Sequence, residues 1–171
     1  MMTTMTEHVK SMYDFHTWAN QTLFNRLKEL PEEVYTQEVQ SVFPTVAKVM
    51  NHIYMVDHSW LTIMSGVDMR EAMSGVGELE KQLETKNVVE LQAMYKELAE
   101  RFTAFFDQEP DLERKLVLDN PYASIRDTSL AEMVLQVVNH GTYHRGNVTA
   151  MLRQMGHASV MTEYAAYWYW G

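Results

Sequence analysis

The sequence predicts an all-α protein built as a four-helix bundle, and three observations carry this prediction. Apolar residues recur at helical spacing over four long segments, residues typical of helix ends bound those segments, and no repeat or low-complexity linker separates them. Amphipathic helices bury their apolar faces against one another, and a bundle satisfies all four at once. A chain of 171 residues fits one core, so we expect a single domain spanning residues 1–171.

The first two helices have clear start and stop signals. Thr4 and Glu7 have the spacing of a capping box, and the apolar stripe behind them continues until Pro31. A second stripe begins at Val46 and is ended by Gly66. These signals predict two long helices in the first 66 residues.

The middle of the chain is less regular. Residues 67–86 are punctuated by glycine and serine, which predicts a short helix plus a loop. A third stripe then runs from Leu91 to Phe105 and stops before Pro110. The third long helix is therefore expected to lie between these two irregular regions.

A long connection precedes the fourth helix. Residues 113–128 have no helical period and contain a strong turn signal at 119–121, which predicts a connection with a short hairpin. Ser129 and Glu132 then form the signature of a second capping box, and Gly156 closes the helix that follows.

Charge and composition exclude several classes of protein. The chain has 14 Lys and Arg against 23 Asp and Glu, and its net charge of −9 would repel a nucleic-acid backbone. It has no cysteine, which excludes disulfides and thiolate metal sites and is compatible with a reducing cytosol. No targeting signal and no run of about 18 uncharged apolar residues is present. We therefore expect a cytoplasmic protein that binds neither nucleic acid nor membrane.

Two histidines interrupt the apolar stripe of the fourth helix. In the stretch VVNHGTYHRGNVTAMLRQMGH, residues 137–157, His140 and His144 occupy positions that the helical period assigns to the core. Residues four apart on a helix differ by ~40° in direction and ~6 Å in height, so both imidazoles can point at one ion. The alternative is that each is a core histidine bonded to a neighbour. Two buried imidazoles without a shared partner cost free energy, and a metal ion removes that cost.

A third ligand must come from another helix. His52 is the best candidate, because it lies on the second stripe between Val49 and Val56. His58 lies off that face, which predicts a surface position or a contact near the site. His16 lies on the first stripe and is either a fourth imidazole of the same cavity or an ordinary core residue. Because no histidine follows a glutamate by three positions, a di-iron bundle is disfavoured and a mononuclear three-histidine site remains.

Three stretches of the chain carry a family resemblance: YDFHTWAN at 13–20, NHIYMVDHSWL at 51–61, and the segment 127–157. In this order they resemble the DinB/YfiT-like family of metal-dependent enzymes, whose four-helix bundle holds one divalent ion with three histidines. The resemblance places the family's ligands on His52, His140 and His144, the last two within the motif H-x-x-x-H-R-G. The chain departs from the family at Asn147, where Gln is frequent, and at Glu163, where Asp is frequent.

The resemblance implies a range of activities, because similar proteins include thiol-dependent isomerases and thiol S-transferases. Three neutral imidazoles leave a divalent ion with its full charge and an open position, which lowers the pKa of water from ~15.7 to ~7 or binds a thiol as thiolate. We expect zinc or nickel, with iron, manganese or cobalt as other candidates, and a transferase or hydrolase acting on a small-molecule substrate with a low-molecular-weight thiol. The alternative is a metal-binding bundle without chemistry of its own that acts as a dimerising interaction module.

Several further residues have two readings each. Tyr143 and Asn147 flank the histidine pair and either orient a substrate or a ligand, or belong to a packed interface. Asp57 either supports the site, pairs with Arg145, or forms a surface ion pair. The five aromatic residues within 164–170 are expected to pack over the bundle or over a partner in a homodimer, with a lid over the metal as the alternative.

Overall fold

The computed structural model describes residues 4–171, most of which are helical. Within residues 4–171, no helix combines the length and the apolar character that a membrane span requires. The elements follow in this order: α1 (Met5–Glu29), a 3-10 helix (Glu32–Tyr35), α2 (Val46–Met64), α3 (Met69–Ser74), α4 (Val76–Glu84), α5 (Val88–Gln108), β1 (Lys115–Asp119), β2 (Ile125–Ser129), α6 (Leu130–Gln154) and α7 (Tyr164–Trp170).

The long helices begin and end at the residues that the sequence indicates. The capping boxes predicted at Thr4 and Ser129 are both present, so that the cap oxygen accepts a backbone N–H and the glutamate three residues later accepts the N–H of the cap. Asn87 forms a third such box at the start of α5. Gly66 and Gly156 follow α2 and α6 with φ angles of 103° and 84°, a left-handed conformation that other residues rarely adopt.

Helices α1, α2, α5 and α6 form the predicted four-helix bundle. Helix α6 packs along both α1 and α2, and α5 packs against the other side of the same two helices. The buried residues come from the predicted stripes, among them Leu23, Val49, Ile53, Phe102 and Val134. The fold class expected from the sequence is therefore confirmed, and α6 is the helix placed to share a site with α2.

The irregular middle of the chain differs from the prediction in one respect. Residues 67–86 form two short helices, α3 and α4, instead of one helix plus a loop. The reason is that Leu79 and Leu83 give α4 an apolar side, which it packs against α2 with Leu83 fully buried. The glycine at position 75 separates the two helices.

The predicted hairpin is present in the long connection. Strands β1 and β2 pair antiparallel, from Lys115 opposite Ser129 to Asp119 opposite Ile125. The carboxamide of Asn120 accepts the backbone N–H of Tyr122 within the turn. Because α6 starts directly after β2, the hairpin fixes where the fourth helix begins.

The aromatic C-terminal segment packs over the bundle at α1. The ring of Tyr164 lies 5.1 Å from that of Phe15, and the ring of Tyr167 lies 5.7 Å from that of Trp18, measured between centroids. The indole N–H of Trp18 also donates to the carbonyl of Trp170. Of the three roles expected for this segment, packing over the bundle is the one observed, while packing over a partner stays a prediction.

Candidate metal centre

Three histidine side chains meet between α2 and α6. His52 on α2 and His140 and His144 on α6 each offer a ring nitrogen, and these three nitrogens lie within 4.8 Å of one another. The Nε2 atoms of His52 and His140 are 3.0 Å apart. Two nitrogens bound to one zinc ion at ~2.0–2.1 Å cannot be more than ~4.2 Å apart, so this pair meets the requirement. The structure thus brings together all three residues that the sequence predicts as metal ligands.

The hydrogen bond of the His144 ring uses Nδ1 and leaves Nε2 free to bind an ion. Its Nδ1 lies 3.0 Å from the amide oxygen of Asn147, one turn further along α6. An amide oxygen only accepts, so Nδ1 carries the proton and donates, and the lone pair resides on Nε2. A metal-binding histidine is typically held by such a bond from its second nitrogen. Of the two readings of Asn147, orientation of a ligand ring is the one that the structure supports.

Burial and the neighbouring histidines favour the neutral form of His140 and of His52. Burial lowers the pKa of His140 from 6.5 to about 3, and the neighbouring His144, His52 and His16 act in the same direction. Burial also lowers the pKa of His52, followed by the effect of His144. The Nδ1 atom of His140 is buried, and residues 4–171 offer it no hydrogen-bond partner. Neutral imidazole is the form that binds a metal, so the lowered pKa values of His140 and His52 favour the form of these two rings that can bind an ion.

The stability of the metal-free protein is expected to fall as the pH drops from 6.5 toward 3. Between these pH values His140 takes up a proton in the unfolded chain, but in the folded protein its pKa of about 3 keeps it neutral. Because the unfolded state binds more protons, a lower pH favours unfolding. Denaturant titrations at several pH values in the presence of a chelator measure this. His140→Gln removes the titrating group, so its stability should fall less steeply between pH 6.5 and 5. Equal slopes for the parent and the variant would contradict the assignment.

Two aromatic rings border the cluster. Phe43 lies with its centroid 5.1 Å from that of His52 and 5.5 Å from that of His144. Tyr143 packs edge-on against His144 at 5.0 Å and is 66% exposed. Phe43 was missed because it lies in the loop before α2, where no periodicity assigns a side to a residue. The sequence signal for Phe43 is that an aromatic residue stands just ahead of the N-cap of α2. Tyr143 lies at the solvent-facing rim of the cluster and is not packed into an interface within the described residues.

His16 is a buried, hydrogen-bonded residue outside the three-histidine group. Its Nε2 lies 2.7 Å from a carboxylate oxygen of Asp57, and its Nδ1 lies 3.0 Å from Nη1 of Arg145. Of its two readings, the core residue is correct. His58 is half-buried, stacks on Tyr54, and also lies outside the group, as expected from its position on α2.

The expectation of a surface ion pair for Asp57 is wrong. Asp57 is 3% exposed and Arg145 is 1% exposed, because α6 packs against both α1 and α2 and the two side chains lie between these helices. Asp57 bonds to His16, and His16 in turn bonds to Arg145, so the two charged residues are linked through an imidazole. The sequence offered no sign that a glycine at position 141 lets these groups meet.

The fold and the site define the class of the protein: it is a helical bundle in which two neighbouring helices bring three histidines together as a candidate metal centre. Comparison with known proteins gives the family. Residues 2–171 match the model of the DinB family. "Protein DinB" of Bacillus subtilis (strain 168) is 44% identical over 163 residues, which cover 95% of each chain. The chain therefore belongs to the DinB family, as its resemblance indicated.

Proposed function

We propose that this protein binds one divalent metal ion through His52, His140 and His144 and uses it for thiol-dependent S-transfer or hydrolysis of a small-molecule substrate. The observation that supports this most directly is the convergence of three ring nitrogens within 4.8 Å of one another. The residues fit such an ion, because the His144 ring is oriented by Asn147 and His140 is kept neutral by burial. Zinc and nickel suit an all-imidazole donor set best, with iron, manganese and cobalt as further candidates.

The chemistry follows from the donor set and the surrounding side chains. A divalent ion held by three neutral ligands supplies a Lewis acid that activates water or a thiol near neutral pH. Phe43 covers the His52 and His144 rings and shields them from solvent on one side. The exposed Tyr143 stands beside His144 and offers a hydroxyl to a substrate at the rim. The proposal places the protein in the cytoplasm, where low-molecular-weight thiols are kept reduced.

A conjugation assay tests the proposed reaction. We expect the zinc- or nickel-loaded protein to accelerate the coupling of a low-molecular-weight thiol to an electrophilic aryl halide, or the hydrolysis of a nitrophenyl ester, with product measured by absorbance. His52→Ala removes one proposed ligand and should remove the acceleration. A chelated parent or a His52→Ala variant that reacts as fast as the loaded parent would contradict metal-dependent chemistry.

A second candidate function is a metal-binding bundle that acts as a dimerising module. The observation that favours it is the exposed aromatic surface of α7, which includes Trp168, Tyr169 and Trp170. Aromatic patches of this kind are frequent at protein interfaces. Under this proposal the partner is a second copy of the chain.

Deletion of residues 164–171 is expected to change the association state of the protein. The deletion removes the exposed aromatic rings and also uncovers Phe15 and Trp18, against which Tyr164 and Tyr167 pack. Sedimentation velocity should therefore show either loss of a dimer or aggregation, together with a lower melting temperature. Unchanged sedimentation and melting would show that the segment contributes to neither.

A further inference from the structure

A cluster of buried polar side chains lies close to the three histidines along α2 and α6. Nη1 of Arg145 donates to Nδ1 of His16 at 3.0 Å and to the amide oxygen of Asn20 at 2.8 Å, while Nη2 donates to the hydroxyl of Thr142. On its other side, His16 bonds to Asp57 at 2.7 Å. Arg145, His16 and Asp57 form a continuous chain of hydrogen bonds, which we call the relay.

The relay has a fixed direction. A guanidinium group can only donate, so Nδ1 of His16 must accept, and the proton of this imidazole lies on Nε2, from which it is donated to Asp57. The neutral ring therefore joins a buried cation to a buried carboxylate. Burial lowers the pKa of Arg145 to about 10, which leaves it charged at neutral pH. Buried charges linked in this way have few alternative arrangements of similar energy, because any displacement leaves one of them without its partner.

The relay joins the two helices that carry the candidate ligands. Arg145 follows His144 directly on α6, and Asp57 lies five residues after His52 on α2, or ~7.5 Å along the helix axis. His16 connects them from α1, which packs against α6. The position and rotation of α6 relative to α2 are thus set by hydrogen bonds only one or two turns from the candidate metal centre.

Gly141, next to His140, makes the relay possible. A Cβ atom at this position would lie 2.2 Å from Cε1 and 2.5 Å from Nδ1 of His16, and 2.8 Å from Nη1 of Arg145. These distances are far inside van der Waals contact, so any side chain here would push His16 or the whole of α6 away. Gly146 lies on the exposed side of the same helix, and apart from the nearby backbone of α6 itself and the two adjacent residues, no atom of the described residues lies within 4 Å of its Cβ position.

We propose that the relay of Arg145, His16 and Asp57 positions the ligand histidines by fixing α6 against α2. The relay fits only because Gly141 has no side chain. This inference rests on the proposed metal site and assigns a role to side chains that do not themselves touch the ion. Residues that hold metal ligands in place change metal affinity by ~10–100-fold when they are removed. The relay should therefore affect the affinity and geometry of the metal centre more than its effect on stability alone would explain.

A matched pair of glycine variants is the first test. Gly141→Ala should raise the Kd for Co²⁺ at least about tenfold and change the visible absorption spectrum of the cobalt-loaded protein, which reports the number and arrangement of the ligands. Gly146→Ala makes the same chemical change on the same helix but meets no neighbour. It should keep the parental Kd and spectrum, and its melting temperature should be equal or higher because alanine favours helix.

Two variants at His16 separate positioning from stability. In His16→Gln the amide oxygen can accept from Arg145 and the amide nitrogen can donate to Asp57, whereas His16→Leu can do neither. We expect Co²⁺ affinity to decrease from the parent to His16→Gln and further to His16→Leu. Leu91→Ala is the stability control, because it opens a cavity in the buried part of α5, which carries none of the relay or ligand residues. It should lower the denaturant midpoint but leave the cobalt Kd and spectrum as in the parent.

The outcomes distinguish this inference from the proposed function. A parent that binds no stoichiometric Co²⁺, Zn²⁺ or Ni²⁺ would overturn the metal site and the relay's role with it. If the parent binds cobalt while Gly141→Ala and His16→Leu lose denaturant stability as Leu91→Ala does, yet keep the parental Kd and spectrum, the metal site stands and the relay is only structural. If His16→Leu does not fold, Gly141→Ala and His16→Gln still decide the question, because parental affinity in both would overturn the relay's positioning role.

Discussion

His144→Ala is expected to abolish stoichiometric metal binding while leaving the helix content unchanged. The parent, purified without a nickel affinity step, should hold one divalent ion per chain, and the variant should hold none, because it loses one of three ring nitrogens that lie within 4.8 Å of one another. The bundle has a buried core supplied by four long helices, so it should fold without the ion, unlike a zinc finger. Elemental analysis and circular dichroism measure the two effects.

A chelator should change the melting temperature of the parent but not that of His144→Ala. An ion that binds only the folded state stabilises it by about 2.7 kcal/mol at a hundredfold excess over its Kd, so a chelator should lower the melting temperature of the loaded parent and leave that of His144→Ala unchanged. His58→Ala is the matched control, because His58 lies on α2 but outside the three-histidine group. Loss of the ion from His58→Ala together with its retention by His144→Ala would refute the ligand assignment.

The four long helices and the convergence of the three histidines could be predicted because their signals are mostly local. A capping box needs only two residues three apart, and an apolar stripe needs only one helix. His140 and His144 were identifiable as a pair because their helix alone brings them to one face. His52 needed one further assumption, that the inward sides of two neighbouring helices meet, and the bundle satisfies it.

The relay could not be predicted in the same way, because its burial depends on three helices at once. Asp57 and Arg145 are charged residues of the kind usually found at the surface, and only the packing of α6 against both α1 and α2 encloses them. That packing depends on Gly141, whose role in a helical sequence cannot be distinguished from that of the exposed Gly146. The place of Phe43 could not be predicted from local signals either, because it is set by the rings of His52 and His144. The same holds for the split of residues 67–86 into α3 and α4, which depends on how these helices pack against α2.

Asp57→Ala is expected to destabilise the protein by about 3–5 kcal/mol, because it leaves the Arg145 guanidinium buried and without a negative partner. For a chain of this size the loss corresponds to a fall in melting temperature of roughly 6–20 °C. Urea titrations of the metal-free protein measure it without any contribution from a bound ion. The free energy of unfolding of Asp57→Asn should lie between those of the parent and Asp57→Ala, or equal that of Asp57→Ala, because asparagine preserves the shape of the side chain but not its charge.

The control for this prediction is a carboxylate in an exposed ion pair. Asp119 accepts from Arg70 on the surface, with the acidic side chain 45% exposed, so Asp119→Ala should change the urea midpoint little. The two variants should differ in stability because of solvent access. Water can hydrogen-bond to Arg70 when its carboxylate is removed, whereas Arg145 is buried against α1, with the Phe15 ring centroid 5.6 Å from its guanidinium carbon. Equal stability of the Asp57→Ala and Asp119→Ala variants would mean that Arg145 does not need the carboxylate, and that the hydrogen bonds of His16, Asn20 and Thr142 alone hold the cation in the core.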